Sequence, residues 1–150
     1  MVIPAARSAC PDSSQLGVGP VVDYLKSLKV AITPNCQPGH YYLLNNYNPG
    51  YFGNGTVDTT DTFIIPPSSS PSIGNVLLAG QVSFRWYGEG LDQSAANPHD
   101  PTDVYCDICN PFQYQTSIMT NQGLRDEVLK DTADLYNDIQ DGILPAVTFV

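Results

Sequence analysis

The sequence predicts an α/β fold carrying long loops, and three observations point there. Residues 82–87 (VSFRWY) alternate Val82, Phe84 and Trp86 against Ser83, Arg85 and Tyr87, the period-two pattern of a strand. The C-terminal run ILPAVTFV is β-branched and aromatic, as in a strand buried within a parallel sheet. Around them lie segments with helix start and stop signals, so strands and helices alternate along the second half of the chain.

The first expected element is a short amphipathic helix over residues 18–28. Pro20 fits its first turn, and Val21, Val22, Leu25 and Leu28 fall near one face. Turn formers dominate residues 31–70 (PNCQPGH, NNYNPGYFGNGT, IIPPSSSPS), leaving 41–44 and 62–65 as strand-like pieces. A loop region of that length usually has a function or packs against something outside the chain. Ser72 is expected to cap a helix over Ile73–Ala79 that Gly80 closes. After the strand at 82–87, GEGLDQSAANPHDPTD reads as loop. Residues 111–118 fit a helical turn or two, and Asn121 caps a helix begun by NQGLRDEVL. Asp131 then caps TADLYNDIQ, with Ala133, Tyr136 and Ile139 on one face and Gly142 ending it. The last strand, 146–150, has no turn, cap or polar tail behind it, which suggests a piece of something longer. Residues 1–150 are therefore read as one partial domain, loop-rich over 1–70 and with its α/β core portion over 71–150.

Composition narrows the function classes. A chain of 150 residues is one domain's worth, enough to bury roughly 68–70% of its unfolded surface. No apolar run approaches the ~20 residues that cross a bilayer, so no transmembrane segment is expected. The net charge is −9, and eleven of the 15 acids lie between Glu89 and Asp141. Such a surface repels phosphate backbones, which argues against a nucleic-acid partner but not against an enzyme acting on small phosphate esters. Nine tyrosines, 13 prolines and 12 glycines beside only two glutamates suit a loop-rich exported protein.

Generic catalytic signatures are missing: the sequence has no G-x-S-x-G elbow, no phosphate-cradling loop before Lys-Ser/Thr and no H-E-x-x-H. Gly53-Asn54-Gly55 is a turn signal, and Asn54-Gly55-Thr56 also fits the glycosylation sequon. His40 and His99 both sit in Pro/Gly/Asp-rich loops, where a histidine meets substrate more often than in a core; no spacing selects them as metal ligands. Glu89 lies between two glycines directly after a strand, the end at which open α/β sheets bind ligands. His40, Asn45, Asn46, Glu89 and Asp107 are the candidate pocket residues. No catalytic residue and no metal ligand is assigned within this span.

Four cysteines remain. Cys10 and Cys36 lie 26 apart, so only Cys106 and Cys109 form a C-x-x-C, which argues against a four-cysteine zinc site. Pro111 follows the second cysteine, and the carboxylates of Asp103 and Asp107 raise a thiol pKa, so the pair makes a poor nucleophile. An even count in an exported protein favours two disulfides, Cys10–Cys36 and Cys106–Cys109.

The blocks PNCQPGHYYLLNNYNPGYFGNG, IPPSSSPSIGNVLLAGQVSFRWYGEG, YCDICNPFQYQTSIMT and LKDTADLYNDIQDGILPAVTFV, in that order, resemble the bacterial phosphoesterase family. That family contains acid phosphatases and phospholipase C enzymes within the alkaline phosphatase superfamily. The resemblance spans residues 34–150 and is strongest in YGEG, CNPFQY and LPAVTFV. It implies part of an alkaline-phosphatase-like α/β/α sandwich with an incomplete sheet, an extracellular or periplasmic location, and hydrolysis of a small-molecule or lipid phosphate ester. It also implies a divalent metal ion in the full-length enzyme, holding a Ser or Thr nucleophile. The family's Glu-Asn metal motif and nucleophile lie upstream of the matched blocks, and its acidic metal motif and His-Pro lie downstream. The chain thus resembles the middle of such an enzyme, with no metal expected for the fragment itself. Some relatives carry a phosphate-contacting His before the Asn-Pro-Phe turn, where this sequence has Cys109. The leading expectation is a phosphoesterase fragment inactive alone; the alternative is an exported binding module using the Tyr/Asn/Gly-rich loop 40–56.

Overall fold

The computed structural model describes residues 18–27, 48–60, 64–98, 100 and 102–150. The expected strand at 41–44, the pair Cys10–Cys36, and His40, Asn45, Asn46 and His99 lie outside the described residues.

Helix α1 (Val18–Ser27) comes first, followed by two short strands, β1 (Asn48–Pro49) and β2 (Ile64–Ile65), paired in parallel. A hairpin lies between them: Tyr51 bridges Val57, and Gly55 N–H donates to the Phe52 carbonyl at 2.8 Å. Gly55 has φ +85°, and a Cβ there would lie 2.2 Å from the Arg125 guanidinium, so only glycine fits.

Helix α2 (Ile73–Ala79) starts at Ser72, whose N–H and hydroxyl both donate to Asn75 Oδ1 at 2.9 and 3.0 Å. Gly74 is buried there, at a distance where a Cβ would meet the Phe112 and Ile118 side chains at 3.1 Å. Strand β3 (Phe84–Gly88) begins two residues later than the sequence pattern suggests. The reason is a turn after α2, in which Gln81 takes φ 54° and Val82 N–H returns to the Leu77 carbonyl.

β1 falls in a stretch read as turns, and two elements after β3 also differ from the sequence reading. The stretch read as loop after β3 contains α3 (Leu91–Ala96), entered through Gly90 at φ 79° and anchored by buried Leu91. It stops at Asn97 because a residue before proline avoids helical geometry. The second is β4 (Leu129–Asp131), only three residues long and set directly between α5 (Gln122–Val128) and α6 (Thr132–Asp141). Ahead of them run two 3-10 helices, Asp107–Cys109 and Pro111–Tyr114, then α4 (Thr116–Met119). The caps match expectation: Asn121 Oδ1 accepts from Leu124 N–H, Asp131 Oδ1 accepts from Ala133 N–H, and Gly142 ends α6 at φ 68°.

The main sheet has the order β4-β3-β5, where β5 is Val147–Phe149, and both pairings are parallel. β5 is half-buried, since it occupies an edge of this three-stranded sheet. Helical layers lie against both faces, as in an α/β fold of the sandwich type. On one face Phe84 and Trp86 meet Phe112 and Tyr105: the Phe84 and Phe149 rings each lie 5.1 Å from the Phe112 ring, and Trp86 meets Tyr105 edge-on at 5.8 Å. Ile118, Met119, Val128 and Leu129 complete that core. On the opposite face Arg85 and Tyr87 meet Asp138 of α6. So α6 docks through a carboxylate, and its apolar residues Tyr136 and Ile139 are 62% and 53% exposed.

Candidate functional site

A cavity of about 310 Å3 lies between the hairpin, the end of α3 and the 3-10 helix that carries Asp107. Asn48, Tyr51 and Asp58 form one wall, and Asp103, Tyr105 and Asp107 the other, with Gln113 between them.

Local turn chemistry sets each carboxylate. Asp58 Oδ1 accepts from Thr60 N–H at 2.7 Å and from its hydroxyl at 2.8 Å. Asp103 Oδ1 accepts from Tyr105 N–H at 2.8 Å, and Asp107 Oδ1 from Ile108 N–H at 2.7 Å. The Asp58 and Asp103 bonds reach two residues on and form Asx-type turns, in which a short acidic side chain takes the place of a backbone acceptor, while the Asp107 bond reaches only the next residue.

A buried polar bridge joins the two walls. Gln113, 1% exposed, donates through Nε2 to the Tyr51 carbonyl at 2.8 Å. Its Oε1 accepts from the Tyr105 hydroxyl at 2.6 Å, and Asn110 Nδ2 donates to that same hydroxyl at 2.9 Å. Burial pushes the Tyr105 phenol well up, partly offset by the Asn110 bond, with Asp107 and Asp103 raising it further. The phenol therefore stays a neutral donor at ordinary pH. Tyr114 is pushed up to about 12, again by burial first and then by Asp107.

Among the described residues, the lining of this cavity includes three carboxylates and no Lys, Arg or His. Carboxylate, carboxamide and phenol oxygens favour hydroxyl-rich or cationic groups, while a phosphate dianion would meet like charge there. A second cavity, also about 310 Å3, lies on the other side of Gly53 and does hold cations: Arg125 and Lys130 stand beside Asp92, Asp126 and Asp134. Arg125 is engaged, its Nη1 donating to the Met119 carbonyl at 2.7 Å. Asp92 is raised by burial first and then by the Asp131 and Asp134 carboxylates.

Asp107 thus lines the first cavity, while Glu89 lies exposed just beyond β3 and borders neither. Asp58, Asp103, Tyr105 and Gln113 were not singled out by sequence. The Asp-x-Thr and Asp-x-Tyr spacings were the available signal, and they report a turn without saying what the turn faces. The Cys106–Cys109 disulfide is present, on both sides of Asp107, with Cα atoms 5.2 Å apart.

The profile of the phosphoesterase family matches residues 29–150. The chain belongs to the phosphoesterase family. No curated protein and no solved structure matches it. Membership supports hydrolysis of phosphate esters at the level of the family, with a small phosphate ester as substrate. No helix among the described residues is long and apolar enough to cross a membrane. Among the described residues no group of three or more His, Cys, Asp or Glu is placed to hold a metal ion. The described carboxylates therefore do not fit the family's expected metal, and no step is routed through one.

Proposed function

We propose that this phosphoesterase span supplies a substrate-side wall of a secreted phosphate-ester hydrolase of the acid phosphatase or phospholipase C type. In this reading, the nucleophile and the divalent ion belong to other parts of the full-length enzyme. The observation that carries it is the anionic lining of the Asp58–Asp103–Asp107 cavity within a chain whose family acts on phosphate esters. Such a cavity suits the alcohol portion of an ester, with the phosphate held outside it. Like charge disfavours the phosphate within, and the acceptor-rich walls receive hydroxyl donors. Taken alone the span does not turn over, because it carries none of the generic nucleophile signatures.

The test is titration of the isotopically labelled chain with glycerol phosphate and, separately, inorganic phosphate. The ester should shift the Asp58, Asp107 and Gln113 amides while inorganic phosphate leaves them in place. Equal response to both, or response to neither, sinks the assignment.

A second reading is favoured by one observation: Asn48, Tyr51 and Phe52, from the Tyr/Asn/Gly-rich loop, line the same cavity. An exported binding module would use it for a free sugar or a lipid headgroup. Binding of an unphosphorylated monosaccharide as tightly as glycerol phosphate would favour that module over the hydrolase.

A further inference from the structure

We propose that the Cys106–Cys109 disulfide is a redox latch on the cavity: oxidation fixes the wall that carries Asp107, and reduction releases it. The importance of this wall rests on the cavity being the substrate site proposed above; the latch itself does not.

Both cysteines are exposed, so the bond is open to exchange with small thiols and disulfides. Between them lie only Asp107 and Ile108, in a three-residue 3-10 helix. Its turn is closed by two backbone bonds, Cys109 N–H to the Cys106 carbonyl and Asn110 N–H to the Asp107 carbonyl, each 3.1 Å. A 3-10 helix this short has poor bond geometry and little cooperativity of its own, and it meets the next 3-10 turn only through Asn110. The flanking chain is different. Tyr105 and Asn110 are tied to each other, Tyr105 is tied to Gln113, and Asn110 and Gln113 are 0% and 1% exposed. The ends of the turn are thus pinned in the interior, while the turn itself sits at the surface, held by the disulfide. Asp107 is the cavity-lining group inside that ring, and β1 of the opposite wall packs on the same 3-10 helix.

The chemistry balances as thiol–disulfide exchange. One protein thiolate attacks a small disulfide, forms a mixed disulfide and expels one small thiol. The second cysteine then displaces the other small thiol and closes Cys106–Cys109. Two protein thiols are oxidised and one small disulfide is reduced to two thiols; a dithiol reductant reverses both steps. The cavity wall would then be completed where disulfides persist, outside a reducing cytosol.

The test is residue-resolved amide hydrogen exchange on the full chain, oxidised and then reduced with dithiothreitol. The latch predicts exchange at least about tenfold faster after reduction at Asn110 and at Asp58, whose N–H bonds the Gly50 carbonyl within the hairpin wall that faces Asp107. Trp86 and Leu129 in the sheet should keep their protection, and oxidised glutathione should restore the slow rates. The double variant Cys106→Ser/Cys109→Ser should match the reduced protein; if it does not fold, dithiothreitol reduction of the Cys10→Ser/Cys36→Ser chain, in which Cys106–Cys109 is the bond left to reduce, decides. Unchanged exchange at Asp58 overturns the proposal, as does a disulfide that resists dithiothreitol. Uniform acceleration that includes Trp86 and Leu129 also overturns it, because the bond would then be a general staple.

Discussion

The Tyr87 hydroxyl donates to Asp138 Oδ2 at 2.6 Å, and the Arg85 guanidinium converges on the same oxygen. This carboxylate joins α6 to β3 across 51 residues of sequence. The Tyr87 hydroxyl bond and then Arg85 hold Asp138 below the usual carboxylate range, against the opposing effect of its burial. Asp138→Asn should destabilise the fold by about 1–3 kcal/mol, because it weakens the acceptor under a buried phenol and a partly buried guanidinium. A depressed folded pKa gives stability that is present above the unfolded carboxyl value of about 3.9 and lost as pH falls through the folded value. The gap between wild type and variant in urea unfolding should therefore be full at pH 7 and shrink below about pH 4. A gap that is the same at pH 7 and pH 2.5 would count against the carboxylate's role.

How much of this was legible follows the range of the forces involved. Ser72, Asn121, Asp131 and Gly142 each act on backbone groups within a turn, so the helix ends they set could be read directly. β4 could not: Leu129–Asp131 is a strand only because β3 lies alongside it, and three residues between two helices leave no period to detect. α3 was hidden by the glycines before it, which read as loop but supply the left-handed entry at Gly90. The apolar stripe of α6 was legible, yet not its direction. Docking through Asp138 turns Tyr136 and Ile139 outward, and only the partner residues Arg85 and Tyr87 reveal that. Asp107 could be read as a candidate from its place between two cysteines. Its cavity could not, because the opposite wall comes from Asn48 to Asp58.

Gln113 should be the residue on which the cavity's shape depends most. Gln113→Leu keeps roughly the volume but removes the Gln113 donor from the Tyr51 carbonyl and the buried acceptor from the Tyr105 hydroxyl, which keeps only the bond from Asn110. An unsatisfied buried group costs about 1–3 kcal/mol, so a loss at the upper end of that range is expected in chemical denaturation. The Tyr105 amide and ring signals should move with it. A stability change under about 0.5 kcal/mol, the range of an ordinary surface substitution, would show that the bridge holds nothing together.

The outward stripe of α6 gives a contrasting expectation. Tyr136→Ser and Ile139→Ser remove apolar groups that are already more than half exposed. Each should change unfolding stability by no more than about 0.5 kcal/mol. Val128→Ala, by contrast, truncates a side chain that is 3% exposed in the core and should cost more, on the order of 1–3 kcal/mol. Losses at Tyr136 or Ile139 that equal the Val128 loss would mean the stripe is covered in solution.

The most direct test of the central claim, that this span belongs to a phosphate-ester hydrolase without containing its reaction centre, is a turnover assay of the purified chain. p-Nitrophenyl phosphate and bis(p-nitrophenyl) phosphate would be offered with magnesium, calcium, manganese and zinc in turn. The account predicts release of p-nitrophenol no faster than the protein-free blank under every condition. Turnover that survives repurification and scales with the amount of chain would contradict it.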